Sequence, residues 1–360
     1  MINVSIHDHL PPAPAWQSIF DGCGGSDYFA SRAWYEVFVA TVARHAGRVA
    51  FVAAVDASGE PMAVLPLLVQ KPSKPWSMRR AGSLANYYTC LYQPLLCADQ
   101  ARATQGLTAL AAYLSGAGAD WSYIDLRPLP EDAWYLPVLH QAFGARGYAI
   151  TQYPAFGNWY LPCAGMNYDT YFNARSKKMR SVVRSKTKQL QEQFSFDMRV
   201  VHTPVEVDDA LRIYHEVYAK SWKQSEPYPD FIPGFIRSLA EHAQLRLGTL
   251  VVDGQAAAAQ LWFVAARTAH IFKLAYSPDF AQYSVGTLLT MRLVEHVLEV
   301  DRVEVIDFLS GDDDYKKQWM SHRRERIGLE MVKTLSVSSL MVGARRVAGR
   351  LRRRLRPAPA

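Results

Sequence analysis

The sequence predicts an α/β protein of the α+β kind, built as two related lobes in tandem whose mixed, mainly antiparallel sheets are flanked by helices. Three observations carry this. First, a hairpin pattern of two apolar runs around an Asp turn occurs twice, in RVAFVAAVDASGEPMAVLPLLV (48–69) and LRLGTLVVDGQAAAAQLWFVA (245–265). Second, each hairpin is followed by a helical pattern and then an apolar strand carrying an Asp: QGLTALAAYL (105–114) and YIDL (123–126), then VGTLLTMRLV (285–294) and VIDF (305–308). Third, the copies stand at nearly constant offset, 180 residues from Gly106 to Gly286 and 182 from Asp125 to Asp307, as an internal duplication requires. The hairpin turns at Asp56 and Asp253 are 197 apart, which gives the first lobe a longer connection after its hairpin. The lobes are placed at residues 1–165 and 166–335, with a basic tail over 336–360.

Length and composition agree with two globular lobes. A chain of 360 residues is long for one domain and suits two of about 150 to 180. Hydrophobic residues make up 49% and charged residues 20%, and no uncharged apolar run reaches the roughly 18 residues that a membrane span needs. MINVSIHDHLPPAPAW has neither a basic n-region nor an apolar h-region, so the expected location is the cytoplasm. Cys23, Cys90, Cys97 and Cys163 have no metal-ligand spacing; they are expected to be reduced structural thiols, and no metal is expected.

The elements of the second lobe follow in order. A helix is expected from about Tyr171 to Phe194, then the strand FDMRVVH, helices near 205–220 and 230–243, the hairpin, and the strand HIFKLAY. The helix from Gly286, the strand VEVIDF, a short YKKQW helix and the strand RIGLEMVKTL complete it.

The net charge of +7 sits at the end of the chain. Seven arginines fall between Arg345 and Arg356 with no acid, so the preceding 344 residues sum to zero. Leu340, Ala344, Val347, Leu351 and Leu355 recur at helical spacing among them, giving a basic amphipathic tail. Two readings stand: peripheral docking on an anionic membrane surface, or a solvated end. A second basic run, Arg175, Lys177, Lys178, Arg180, Arg184, Lys186 and Lys188, lies on a helix with an apolar side of Met179, Val182, Val183 and Leu190. It reads either as a solvated face or as a lining for an anionic acceptor or a tRNA backbone. No aromatic residue interleaves it, which argues against single-stranded nucleic acid.

The stretch KLAYSPDFAQYSVGTLL (273–289) takes a strand through a tight loop into a helix. First-turn helix amides have no intrahelical acceptor, and a glycine there lets a ligand approach the backbone, so the loop suits a phosphate. A plain turn glycine is the alternative.

The order FNARSKKMRSVVRSKTKQL, KSW, LVVDGQAAAAQLWF, KLAYSPDFAQYSVGTLL and DFLSGDDDYKKQW resembles the GNAT superfamily. More narrowly it resembles the FemAB-like or BioF2-like acetyltransferase group, also described as CelD-like in cellulose biosynthesis. The resemblance is strongest from Tyr171 to Leu335, and the first lobe fits a degenerate GNAT repeat. It implies an acyltransferase that moves an acyl group, commonly acetyl, from acyl-CoA to an amine or hydroxyl of a sugar, polysaccharide precursor or amino acid. It also implies the acyl-CoA pyrophosphate at Gln282, Ser284, Val285, Gly286 and Thr287. The loop has one glycine where the superfamily commonly has two small residues, and Val285 stands where the narrower group commonly has proline. Fem ligases of the same fold use aminoacyl-tRNA, which keeps that donor as an alternative. A membrane-associated binding module without catalysis is a third reading.

Acyl transfer needs a proton acceptor, a stabiliser for the thioester oxygen and a proton for the departing thiolate. Asp307, at the end of an apolar strand, and Asp314 are the candidate bases. Tyr315 is the candidate acid, and Lys316 the candidate partner of a phosphate or oxyanion. Capping of the loop is the competing role for Asp307. Lys178, Arg184, Trp222 as a pocket wall and Lys273 are the candidate acceptor contacts.

Overall fold

The computed structural model describes residues 1–334 apart from Ala13, Ala15, Ser26, 71–79 and 117–120. The basic tail lies outside the described residues. In the first half, β1 (Asn3–His7), α1 (Gln17–Gly24), α2 (Arg32–Phe38) and the single turn α3 (Arg44–Ala46) precede the hairpin β2 (Arg48–Val55) and β3 (Pro61–Gln70). β4 (Arg80–Ser83), β5 (Leu95–Leu96), α4 (Gln100–Ser115), β6 (Tyr123–Pro130), α5 (Tyr135–Gly144) and β7 (Tyr148–Pro162) follow. The second half runs α6 (Tyr168–Asn173), α7 (Lys177–Gln193), β8 (Phe196–Val201), α8 (Val207–Lys220), α9 (Phe231–Glu241), β9 (Leu245–Val252) and β10 (Gln255–Ala265). It ends with β11 (Thr268–Tyr276), α10 (Val285–Glu299), β12 (Val305–Ser310), α11 (Asp314–Lys317) and β13 (His322–Lys333).

The strands form one sheet in the order β1-β2-β3-β4-β6-β13-β7-β12-β11-β10-β9-β8, with β5 beside β3. The duplication is legible in the pairing. Steps β1 to β4 and β8 to β11 are antiparallel, and each series ends on a parallel step, β4 to β6 and β11 to β12. Asp125 pairs with Gly82 and Asp307 with His270, so the two aspartates hold equivalent register positions. The final strands are exchanged: β7 of the first half lies on β12, β13 of the second lies on β6, and β7 and β13 pair with each other. Residue 165 therefore follows a strand already embedded in the second half.

Two expectations change. The glycines Gly106 and Gly286 are not equivalent: Gly106 lies inside α4, where a Cβ would sit 2.9 Å from the Ala63 Cβ, whereas Gly286 opens α10. The helix expected from Tyr171 to Phe194 is broken into α6 and α7, because the Ser176 hydroxyl caps a new start by accepting from the Met179 amide at 3.2 Å.

Each face of the second half packs a separate core. α10 and α7 cover one face through Leu289, Val294 and Met179 against Trp262 and Ile306. α8, α9 and the first half's α2 cover the other, where Trp34, Phe231, Phe235 and Phe263 pack edge to face.

Candidate functional site

β11 and β12 stay in register for three residues, Thr268–His270 with Val305–Asp307, and then part. A cavity of about 760 Å³ opens in the gap. Its walls are β11 from Ile271 to Tyr276, the end of β12, the start of α10, Tyr315 and Lys316 of α11, and Tyr87, Tyr88 and Cys90 from the first half.

The start of α10 is aimed at this space. Ser284 adopts a left-handed conformation (φ 55°, ψ 35°) that turns the chain into the helix. The first intrahelical bond there is Leu288 N to Ser284 O at 3.1 Å, which leaves the amides of Val285, Gly286 and Thr287 as first-turn donors. The turn is anchored from beneath: the buried Gln260 amide donates to Gly286 O and to the Thr290 hydroxyl, both at 2.8 Å, and Trp262 Nε1 donates to Gln260 Oε1 at 3.0 Å. Gly286 passes close to Tyr276, and a Cβ would lie 3.3 Å from its ring.

At the mouth, Glu226 ties three parts of the chain together. It accepts from Lys273 Nζ at 2.7 Å and from the hydroxyls of Tyr218 at 2.6 Å, Tyr87 at 3.2 Å and Tyr88. Burial pushes its carboxyl up, but Lys273 and the tyrosines outweigh that and hold it below the ordinary value. Lys223 also lines the cavity; burial, with Lys273 as a neighbouring positive charge, lowers its ammonium to about 8. Tyr315 packs its ring between Phe308 and Trp319, and burial raises its phenol. Lys316 is a strut: its Nζ donates to the carbonyls of Phe308, at 3.1 Å, and Ser310, tying α11 to the end of β12.

The structure thus gathers Ser284, Val285, Gly286, Thr287, Lys273, Trp222, Tyr315 and Lys316 around one cavity. Trp222 forms the rim, 62% exposed and 4.7 Å from the Tyr276 ring. Gln282, Lys178, Arg184 and Asp314 are exposed and stand outside the lining. Val285 contributes its amide, its side chain being buried in the core.

Asp307 is also outside that lining and faces the other cavity beside β12. It is buried, accepts from Asn158 Nδ2 at 2.6 Å and the Leu309 amide at 2.7 Å, and pairs with Arg324. Burial raises its carboxyl, but the neighbouring positive charges, Arg324 foremost, more than reverse this, so it stays ionised. The position expected to supply a base instead fastens β12 to β7 and β13. Asp307→Asn is expected to cost about 2 kcal/mol of stability through the weakened Arg324 contact, which urea titration reads.

Sequence reasoning missed Tyr87, Tyr88, Lys223 and Glu226. The adjacent tyrosines in NYYTC and the acid in KSWKQSEPY were visible, but nothing in their spacing brings residues 87 and 226 together.

Among the described residues no helix is long and apolar enough to cross a membrane, and no group of three or more His, Cys, Asp or Glu is placed to hold a metal ion. Among the described residues no disulfide joins the four cysteines. Residues 177–317 match the acetyltransferase (GNAT) domain family. FemX shares the fold at a TM-score of 0.60 and 13% identity, over 90% of this chain and 97% of that one. L-PGS from Bacillus licheniformis does so at 0.54 and 12%, over 95% and 99%. A conserved protein of unknown function from Bacteroides thetaiotaomicron VPI-5482 gives 0.58 and 11%, over 92% and 100%. No curated protein matches the chain. Residues 177–317 thus match a GNAT acetyltransferase domain, and the two-lobed fold of the chain is shared with FemX across nine-tenths of its length.

Proposed function

We propose that the chain transfers an acyl group from acyl-CoA to an amine or hydroxyl of a small acceptor, such as a sugar, glycan precursor or amino acid. The observation that carries this is the cavity between the parting strands with three helix-start amides at its edge. Amides of Val285, Gly286 and Thr287, with the helix dipole behind them, suit a pyrophosphate. About 760 Å³ suits a pantetheine arm and a small acceptor together.

The residues of the cavity divide the proton work. Lys223, lowered to about 8, lines the cavity, and its neutral amine takes the proton from the acceptor's N–H or O–H. The new bond forms between that nitrogen or oxygen and the acyl carbon as the carbon–sulfur bond breaks. Tyr315 gives its phenolic proton to the departing thiolate. Lys223 replaces Asp307 and Asp314 as the proton acceptor, because it lines the cavity and those carboxylates do not, while Tyr315 keeps its expected role as the acid.

Gly286→Val tests the donor site. The branched side chain meets the Tyr276 ring and occupies the approach to the amides, so acyl-CoA affinity is expected to fall at least tenfold, about 1.4 kcal/mol or more, with the variant still folded. Unchanged affinity by calorimetry in a folded variant removes the donor assignment.

A second reading, aminoacyl-tRNA as donor, is supported by the likeness to FemX and by the exposed basic stripe of α7. Ribonuclease-sensitive, steeply salt-dependent binding would favour it over acyl-CoA.

A further inference from the structure

On the other side of Cys90 and Leu309, which line both spaces, lies a second cavity of about 560 Å³. The strand exchange builds it, because β13 carries Arg324 and Arg326 across to β7, opposite Asp27 from the N-terminal segment and His270 from β11. Its charges are unequally matched. Arg324 is satisfied by Asp307 and by Asn158 Oδ1 at 2.6 Å. Arg326 is only 6% exposed and, among the described residues, makes one long bond of 3.4 Å from Nη2 to the same Asn158 oxygen and leaves Nε without a partner. His270 Nδ1 is also buried without a hydrogen-bond partner among the described residues, its ring stacked 4.5 Å from Phe263.

Five carboxyls line the cavity, Asp27, Glu131, Asp132, Asp307 and Glu325, and none forms an ion pair with Arg326 among the described residues; Glu325 pairs with Arg323 at 2.7 Å and Glu131 accepts from the Glu325 amide at 3.2 Å. Asp307 is committed to Arg324 and Asn158. Burial raises Asp27 to about 7, so it is only partly charged near neutrality, and its oxygens accept from the Phe29 amide at 3.0 Å and Gln93 at 3.3 Å. Burial lowers His270 to about 4, so the imidazole is neutral there. A buried guanidinium is ordinarily paired, because taking it from water without a counter-charge is costly.

We propose that this second cavity binds a small carboxylate- or phosphate-bearing molecule, with the planar fork of Arg326 as the anchor for the oxyanion. The guanidinium donors suit two oxygens of one group, which a lysine cannot match. The site stands independently of acyl transfer and lies next to the donor cavity. A ligand with one end on Arg326 is therefore held beside the proposed reaction centre.

The test is thermal melting of the full chain with acetate, inorganic phosphate and neutral glucose at matched ionic strength. At least one oxyanion is expected to raise the transition, and glucose is not. The more effective anion tells carboxylate from phosphate. Arg326→Met is expected to weaken that anion roughly tenfold or more while the ligand-free transition stays level or rises, since the substitution removes an unpaired buried charge. Should the methionine variant not fold, Arg326→Lys, which keeps the charge and loses the fork, is expected to give the same direction of loss. The proposal is overturned if no oxyanion shifts the wild-type transition, or if the folded Arg326 variant binds it as tightly as wild type. Acyl-CoA affinity, measured in parallel and expected to be unchanged, keeps this outcome separate from that of the donor site.

Discussion

Glu226→Ala is expected to cost about 3 kcal/mol or more of stability. It leaves Lys273, 17% exposed, without its counter-charge and strands the hydroxyls of Tyr88 and Tyr218. Adding Lys273→Met should recover part of the loss, because much of the cost belongs to the charge left behind. Urea titration of the single and double variants reads this, and a single-variant loss below about 0.5 kcal/mol, the range of an indifferent surface change, would remove Glu226 as a structural tie. The pH dependence has a definite sign. The folded carboxyl is depressed, so its contribution is fully present above the unfolded value of about 4.3 and is lost as pH falls through the lower folded value. The cavity should loosen with it, since Glu226 joins the connection between α8 and α9 to the Tyr87–Tyr88 segment of the other half.

Lys223→Met is expected to lower the transfer rate on the order of a hundredfold. In the wild type the rate should rise with pH and level above about 8, where the amine is neutral; the variant should lack that limb. A wild-type profile with no inflection near 8 would remove Lys223 as the proton acceptor. Tyr315→Phe is expected to slow transfer by a similar factor with an alkyl thioester, and by much less with an aryl thioester, whose thiolate leaves without a proton. Equal losses with both donors in single-turnover measurements would assign Tyr315 a packing role beside Phe308 and Trp319.

The periodic features were legible in the sequence because they are local. Paired apolar runs around the turns at Asp56 and Asp253 marked both hairpins, and the Gly286 helix start was readable from the run of KLAYSPDF into VGTLL. The Asp125–Asp307 repeat even gave the correct register equivalence, since equal spacing from a parallel partner is a property of the strand itself. What the repeat did not contain was the exchange of β7 and β13. An antiparallel strand of this length satisfies its backbone equally well against either half, and only the packed sheet decides which neighbour it takes.

That choice decided the chemistry of the sites. Asp307 was identified as a carboxylate at a strand end, but side chains alternate across a strand, and its face is settled by Asn158 of β7 and Arg324 of β13, both distant in sequence. Lys223 and Glu226 sit in a connection without periodicity, and they become a low-pKa amine and an anchored carboxylate only when Lys273 and Tyr88 are folded against them. The sequence by itself determined the duplicated hairpin, helix and strand pattern, the elements of the second lobe apart from the break at Ser176, and the amide-rich start of α10. Tertiary structure alone decided which charged groups are buried and paired, because desolvation and Coulomb attraction depend on distance in space and not on separation along the chain.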